Sequence, residues 1–321
     1  MRFVTIIALI ASVAMCTGAS AQDYPVRPIK LIVPYSAGGP ADVIARVVGQ
    51  RMSAILGQAF VFENRGGAGG SIAGRAVASS DPDGYTLLFG ATGPLVISPL
   101  VFKLSDYDPS KSLVPIALVG TTSNILVVNP KLPVRSVQEL IAYAKANPGK
   151  LSYSSPGVGT PPHMIGEMFK LKAGVDMVHV PYKGGGNSTQ DVISGQVQLT
   201  FENSAVSLPL ARSGAVRALA VTSSARSPQI PELPTMIEAG IPNFVSISFT
   251  GLVVPVGTPA VIIRRLNAAA NESLKDAAVQ RVLQKLAVDI HGGSSEDFGA
   301  YLTRERDKWS EVAKAANVQP N

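Results

Sequence analysis

A β-strand followed by a glycine-rich loop and a helix start recurs four times in this chain. The segments are residues 33–42 (VPYSAGGPAD), 63–71 (ENRGGAGGS), 153–160 (YSSPGVGT) and 180–188 (VPYKGGGNS). Alternation of strand and helix builds mostly parallel sheets covered by helices, so the pattern predicts an α/β fold. Loops that follow parallel strands lie at their carboxyl ends, where ligands normally bind.

The four loops have the physical properties of an anion-binding site. A helix begins with unpaired backbone N–H groups and a partial positive charge, and glycine lets the backbone approach a ligand closely. A carboxylate or phosphate is then held without a metal ion. Glycine also serves ordinary turns, so one such loop is weak evidence, whereas four favour at least two loops facing a common cleft. Candidate hydroxyl donors are Ser36, Ser154, Ser155 and Thr160.

The first and fourth segments share the tripeptide Val-Pro-Tyr. This is either chance or a mark of equivalent positions in two similar halves of the chain.

Composition narrows the class of protein. Apolar residues make up 46% of the 321 residues and charged residues only 16%, which favours a large core and excludes a coiled coil or a charged tail. The net charge of +6 comes from scattered Lys and Arg. A scattered positive charge attracts small anions, whereas nucleic acid requires a clustered basic face.

Residues 1–21 have the pattern of a cleaved secretory signal peptide. Arg2 precedes an apolar run at 3–15, and small residues at Ala19 and Ala21 suit a cleavage site. The run is too short for a membrane anchor, which needs ~20 apolar residues. Cys16 is the only cysteine and leaves with the signal, so we expect a secreted chain without disulfides.

Two β-rich segments, 125–128 and 249–254, have no glycine-rich loop close behind them. If both are strands that cross between domains, the chain forms one discontinuous domain (22–124 plus 250–321) and one inserted domain (125–249). The expected architecture is two α/β lobes joined by a hinge of crossover strands.

The remaining elements follow from periodicity and capping signals. Capping boxes at 136–139 and 235–238 predict two helix starts. The predicted strands are 29–33, 59–63, 85–89, 151–155, 177–182, 197–201 and 216–222. Further helices are predicted at 40–56 and 295–315, and from 71, 160 and 258 onward.

Motifs for catalysis are missing from the sequence: it lacks a G-x-S-x-G elbow, a Walker A loop, H-E-x-x-H and C-x-x-C. His163 either lines a site or bonds to local backbone, whereas His179 fits a packing or surface position and His291, before a glycine pair, fits a loop. Asp42 either favours its helix dipole or accepts a hydrogen bond from a ligand. Lys183 is either a solvated charge or a cation that attracts the ligand.

At these loops the sequence resembles the periplasmic solute-binding proteins of tripartite tricarboxylate transporters, the Bug family. The matching stretches cover nearly the whole mature chain in order. They are 25–42 (PVRPIKLIVPYSAGGPAD), 63–74 (ENRGGAGGSIAG), 153–163 (YSSPGVGTPPH), 180–186 (VPYKGGG), 195–197 (GQV), 218–222 (ALAVT), 226–228 (RSP) and 233–240 (LPTMIEAG).

The resemblance implies a two-lobed Venus-flytrap fold, similar to type II periplasmic binding proteins, that passes a small organic acid to a membrane permease. The acid would be a di- or tricarboxylate, an acidic amino acid or an aromatic acid, held at the loops matching 35–42 and 154–160. The candidate ligand-binding residues are Tyr35, Ser36, Ala37, Gly38, Gly39, Asp42, Gly69, Thr92, Ser154, Ser155, Gly157, Gly159, Thr160, His163, Tyr182, Lys183 and Asn203. We expect no catalytic residue, metal ion, cofactor or nucleic-acid partner, and a monomer in the periplasm.

The sequence departs from the family pattern at three places. Ala41 replaces a common hydroxyl residue, Gly66 replaces a common proline, and 184–187 (GGGN) is unusually rich in glycine. These departures bear on which acid is bound. Two alternatives stay open: a hydrolase that uses Ser154 or Ser155 with His163, and a sensing ectodomain that docks a signalling receptor.

Overall fold

The structure is a computed structural model that describes residues 24–102, 104 and 106–318. The expected signal peptide at 1–21 lies outside this part of the chain. The strands are β1 (Ile29–Val33), β2 (Phe60–Asn64), β3 (Thr86–Ala91), β4 (Leu113–Val128), β5 (Ser152–Ser155), β6 (Val178–Pro181), β7 (Leu199–Asn203), β8 (Arg217–Val221), β9 (Ile247–Pro255) and β10 (Asp289–Gly292).

The α-helices alternate with these strands for most of the chain. They are α1 (Pro40–Leu56), α2 (Ser71–Ala78), α3 (Ser98–Phe102), α4 (Pro109–Ser112), α5 (Val137–Ala146), α6 (Pro161–Ala173), α7 (Gly185–Ser194), α8 (Ser204–Arg212), α9 (Ala260–Ser273), α10 (Ala277–Lys285) and α11 (Ser295–Ala315). A 3₁₀ turn (Ala68–Gly70) and a π-helical turn (Gly93–Ile97) precede α2 and α3. The predicted helices at 40–56 and 295–315 have the predicted bounds.

Strand pairing divides the fold into two sheets that share β4. In the first sheet, β1 lies between β2 and β3, and β3 pairs with β9. In the second sheet, β5 lies between β6 and β7. β4 pairs with β9 as far as Ser123 and with β7 and β8 from Asn124 or Ile125 onward. We call each sheet with the helices packed on it a lobe: lobe 1 contains β1–β3, β9 and β10, and lobe 2 contains β5–β8.

The expectation of mostly parallel sheets is only partly correct. The β1–β2, β1–β3, β5–β6 and β5–β7 pairs are parallel. The pairs made by the two crossover strands, β4 and β9, are antiparallel. A strand that leaves a lobe and a strand that returns to it run in opposite directions, so they pair antiparallel where they meet.

The two Val-Pro-Tyr segments are not equivalent. Val33 ends β1, the central strand of its βαβ set, whereas the second segment belongs to β6, which pairs with β5 alone among the described strands. The counterpart of β1 is therefore β5, and the counterpart of β6 is β2. This makes loop 33–42 comparable with loop 155–160.

The last helix, α11, contacts both lobes. Phe298 on α11 packs edge to face against Phe249 on β9, and Trp309 on the same helix is fully buried. α11 lies against β4 and also against α6 of lobe 2. The buried face of this helix is thus an interface with both lobes.

The predicted helix at 235–238 does not form. Thr235 and Glu238 make both hydrogen bonds of a capping box. The turn ends at Gly240, whose φ is +88°, and Pro242 follows two residues later. A glycine in this conformation and a nearby proline stop a helix after one turn. In the part of the chain that the structure describes, no helix has both the length and the apolar character needed to span a membrane.

Candidate functional site

The four glycine-rich loops lie against one another. A Cβ on Gly66 would stand 4.0 Å from the Ser36 backbone nitrogen, and one on Gly69 would stand 2.8 Å from the Gly159 carbonyl oxygen. A Cβ on Gly157 would stand 3.3 Å from the Tyr182 carbonyl oxygen. The loops of both lobes therefore form one continuous set of contacts, and lobe 1 meets lobe 2 where Gly69 approaches Gly159.

Asp42, in the first turn of α1, organises the first loop. Its carboxylate accepts hydrogen bonds from the Gly38 backbone N–H, from Arg46 Nε and from Asn64 Nδ2, each at 2.9 Å. Asn64 also donates to the Tyr35 carbonyl at 2.9 Å. Burial opposes the charge, but the hydrogen bonds keep the pKa of Asp42 below its usual range. Since both oxygens are engaged inside the protein, Asp42 holds the loop in shape.

The tip of this loop is open. Ser36, Ala37 and Gly38 are exposed, and Gly39, at the N-cap of α1, leaves the first amides of the helix without a side-chain cap. The exposed loop tip therefore lies beside a helix N-terminus, which carries a partial positive charge.

Two residues behind the loop tip make internal hydrogen bonds. The Tyr35 hydroxyl is bonded to the backbone of Gly93, and burial raises its pKa. Thr92 is buried, and its Oγ1 accepts a hydrogen bond from the Phe249 N–H at 2.9 Å. Thr92 thus attaches the first lobe's loop region to crossover strand β9.

The loop after β5 is held by hydroxyl groups. Ser155 Oγ lies 3.1 Å from both the N–H and the carbonyl oxygen of Gly157, and Thr160 Oγ1 donates to the same carbonyl at 2.6 Å. Thr160 takes the predicted N-cap position of α6, but its hydroxyl does not cap the helix. Pro161 and Pro162 follow and have no N–H, so the start of α6 offers fewer donors than the start of α1.

Ser154 points away from the loops. Its buried hydroxyl donates to the Ser188 carbonyl at 3.1 Å and accepts from the Ser188 hydroxyl at 2.9 Å. The side chain therefore fastens β5 to α7 and has no free donor. Strand periodicity alone does not reveal this, because both faces of β5 are buried.

Two histidines lie under the same loop. Their rings, His163 and His179, stack with centroids 4.1 Å apart, and Tyr153 stacks on His179 at 4.9 Å. His179 Nε2 is 2.7 Å from Ser155 Oγ, and His163 Nδ1 accepts from the Gly159 N–H at 3.4 Å. Burial lowers the pKa of His163 to about 4; burial, with His163 next to it, lowers that of His179 to about 3. Both rings are neutral at neutral pH.

The fourth loop and the end of β7 complete the set. The Tyr182 hydroxyl donates to the Asp191 carboxylate, and burial followed by that hydrogen bond raises the pKa of Tyr182 to about 12. Lys183 is exposed. Asn203 is the N-cap of α8, where its Oδ1 accepts from the Ala205 N–H at 2.9 Å.

Sequence reasoning missed Glu202. This residue is the next-to-last of β7 and has 5% of its surface exposed, and its Oε2 has no hydrogen-bond partner. Burial raises the pKa of Glu202 to about 7. The sequence did carry one signal for this residue: Glu202 is an acidic residue directly after the predicted strand 197–201, which has no charged side chain. Among the described residues, no group of three His, Cys, Asp or Glu side chains is arranged to hold a metal ion.

This fold, in which glycine-rich loops of two α/β lobes lie in contact, defines the class of two-lobed periplasmic solute-binding proteins. Comparison with known families agrees: residues 44–318 match the model of the tripartite tricarboxylate transporter family receptor. The chain belongs to this family. It is 36% identical to Protein BugT of Bordetella pertussis over 311 residues, which are 97% of this chain and 95% of BugT.

Solved structures of similar proteins support the assignment. Rpa4515 of R. palustris, with adipate, has a TM-score of 0.87 at 36% identity and covers 93% of this chain and 100% of its own. Periplasmic binding protein BugD has a TM-score of 0.85 at 33% identity, with the same coverage. MatC of Rhodopseudomonas palustris, with bound malate, has a TM-score of 0.84 at 31% identity, covering 90% and 99%.

The family assignment decides whether the chain is a receptor or a hydrolase. Its members are receptors, so this chain is a solute-binding receptor of the Bug type rather than an enzyme. The proposed pairing of Ser154 or Ser155 with His163 is also wrong in its geometry. Ser155 contacts His179 instead, and Ser154 contacts Ser188.

Proposed function

We propose that the protein captures a small organic carboxylate between its two lobes in the periplasm and delivers it to the membrane subunits of a tripartite tricarboxylate-type transporter. The observation that carries this proposal is the contact between glycine-rich loops of opposite lobes at Gly69 and Gly159. The relatives Rpa4515 and MatC, which carry adipate and malate, support a carboxylate as the ligand class.

The two lobes contribute unequally to the binding site. The uncapped amides at the start of α1, with the hydroxyl of Ser36, take one ligand carboxylate. The loop of lobe 2, through Gly157, Gly159 and Thr160, closes over the same carboxylate. Tyr35, Asp42, Thr92, Ser155 and His163 act behind them by fixing loop shape.

The far end of the ligand is taken by the loop that precedes α7 and by the end of β7. Lys183 is exposed on this loop and adds a positive charge beside the mouth of the cleft. Tyr182 and Asn203, whose polar groups are engaged by Asp191 and Ala205, shape the wall there.

Closure takes place about the crossover strands, with lobe boundaries at 22–124 plus 250–321 and at 125–249. The change of pairing partners along β4 between Ser123 and Ile125 supports the first boundary. A ligand that contacts both lobes favours the closed state by its difference in affinity for the two states. The protein acts as a monomer, reaches the periplasm through a signal peptide at 1–21 and uses no cofactor.

The test is to purify the mature protein from its host and search by native mass spectrometry for a retained small acid. Thermal unfolding in adipate, malate and a series of other mono- and dicarboxylates then measures stabilisation. A cognate acid at a hundred times its Kd raises the free energy of unfolding by about 2.7 kcal/mol. A protein that retains no acid and is stabilised by none of the series would contradict the proposal.

A further inference from the structure

Glu202 lies directly beside the start of α7. The position of a Cβ on Gly185, the first residue of that helix, is 3.8 Å from Glu202 Oε2 and 3.7 Å from Pro156 Cγ. Pro156 belongs to the loop after β5, which is part of the proposed ligand site. A buried carboxyl group therefore lies where the loop after β5 meets the start of α7.

One oxygen of this carboxyl group lacks a partner. Glu202 Oε1 accepts from the Asn203 N–H at 2.8 Å, whereas Oε2 is buried with no hydrogen bond. Buried polar atoms are almost always paired, and an exception calls for a missing group such as a ligand or a water molecule. An ionised Oε2 needs a donor there, and a protonated one needs an acceptor.

The start of α7 lacks a partner as well. The helix has ten residues, and its N-cap, Gly184, has no side chain with which to bond the first amides. These amides carry the positive end of the helix dipole. A helix start and an unpartnered buried carboxyl group thus lie side by side at one end of the proposed cleft.

We propose that Glu202 and the start of α7 form a second subsite, which holds the far end of the bound acid and accepts a second carboxylate only together with a proton on Glu202. This inference rests on the proposed function. An uncharged far end such as a hydroxyl or amide needs no proton. The proton comes from solvent and converts Glu202 from carboxylate to carboxylic acid, so no other reactant is required.

The physical reason is charge repulsion in a buried place. Two like charges about 6 Å apart at an effective dielectric constant of about 20 weaken binding roughly a hundredfold. The raised pKa of Glu202, caused by burial, means that taking up a proton near neutral pH costs little.

Other charged groups near Glu202 are few. The elements packed against β7 carry Tyr153 on β5, His163, Glu167, Lys170 and Lys172 on α6, Lys183 before α7, Asp191 on α7 and Arg212 on α8. None of them is among the causes of the shift in Glu202, which are burial, then the Asn203 N–H, then the Thr189 hydroxyl.

The experiment is calorimetric titration at pH 6, 7 and 8, in two buffers of different ionisation enthalpy. The probes are adipate with 6-hydroxyhexanoate, and malate with 3-hydroxybutyrate, which differ in the second carboxylate. For the wild type we expect the Kd of a dicarboxylate to rise about tenfold from pH 6 to pH 8, with uptake of up to one proton. The Kd of the matched hydroxy acid changes less than twofold.

The Glu202→Gln variant should bind the dicarboxylate with no pH dependence and no proton uptake, because an amide donates without titrating. The Glu167→Gln control removes a partly buried acid on α6 that pairs with Lys170, and it should keep the wild-type response. As a second variant, Thr189→Val removes a neighbouring hydroxyl group that lowers the pKa of Glu202, so the midpoint of the response should move to higher pH.

Each outcome decides one proposal. Acids that bind with the same pH response in wild type and Glu202→Gln overturn the subsite and leave the proposed function intact. If Glu202→Gln does not fold, an unmoved midpoint in Thr189→Val overturns the subsite. Failure of all four probes to bind at any pH overturns the subsite as stated; the wider acid series separately tests the proposed function.

Discussion

The loops after β1 and β5 occupy equivalent places in the two lobes, yet they are held by different chemistry. In lobe 1, the charged side chains of Asp42 and Arg46 anchor the loop. In lobe 2, the anchors are neutral: the hydroxyls of Ser155 and Thr160 and the ring of His179.

The two loops differ in the donors and charges that they can offer to a ligand. In lobe 1, the start of α1 has no side-chain cap, and the Asp42 carboxylate that anchors the loop is hydrogen-bonded inside the protein. The loop can therefore face an anion. A loop of neutral groups, followed by two prolines, provides fewer donors but no competing charge in lobe 2. The two lobes should therefore respond differently to mutation and to pH.

The largest effect is expected for Asp42→Ala. The change leaves the Gly38 N–H and the amide of Asn64 without their acceptor, so we expect the free energy of unfolding to fall by about 3 kcal/mol. Urea denaturation measures this loss. Asp42→Asn keeps one acceptor oxygen and should lose less, and equal stability of Asp42→Ala and wild type would contradict the anchor role.

The next effect is the pH dependence of lobe 2. Unfolded histidines take up protons near pH 6.5, but folded His163 and His179 do so only near pH 4 and pH 3. The unfolded state therefore binds more protons below pH 6.5, and stability falls as the pH falls. Glu202 has the opposite sign, because its pKa of about 7 in the folded state exceeds its usual 4.5 and its contribution is lost as the pH rises through 7.

The effect of the two histidines exceeds the opposite effect of Glu202. We therefore expect the free energy of unfolding to fall by about 1.5 kcal/mol between pH 6.5 and pH 5. Denaturation in urea across this range measures it. His179→Gln should make the profile nearly flat, Glu202→Gln should steepen it, and the exposed control His291→Gln should leave it unchanged. A flat wild-type profile would show that the histidines are not buried as neutral rings.

The third prediction compares two glycines of lobe 1 with similar backbone strain. Gly38 has φ +81° and Gly69 has φ +61°, but only at Gly69 does an added Cβ meet another lobe, at 2.8 Å from the Gly159 carbonyl. Gly69→Ala should raise the Kd for a bound acid at least tenfold by holding the lobes apart. Gly38→Ala has open space for its Cβ and should mainly lose about 1 kcal/mol of stability. Equal Kd values for the two variants would contradict the lobe contact.

Much of this architecture was predictable from local sequence. The helices predicted at 40–56, at 295–315 and from 160 onward depend on interactions within a few residues, and they begin as expected. The bonds at 235–238 also formed as expected, but Gly240 ended the turn.

The site was less predictable because its key contacts join distant parts of the chain. Asp42 with Asn64 and Ser155 with His179 are pairs that only the packed sheets bring together. Glu202 was missed because a single acid in a strand looks like a surface residue until the helix that covers it is known.

The smallest effects are expected for Ser154 and Ser36, which the sequence analysis names together as candidate hydroxyl donors. Ser154 is buried and bonded to Ser188, whereas Ser36 is exposed at the open tip of the first loop. Ser154→Ala should lower the free energy of unfolding by about 1 kcal/mol and leave the Kd nearly unchanged. Ser36→Ala should do the reverse, weakening acid binding severalfold without loss of stability. Because each variant is the control for the other, urea denaturation and calorimetric titration of both decide which hydroxyl faces the ligand, and a larger change in Kd for Ser154→Ala would reverse that assignment.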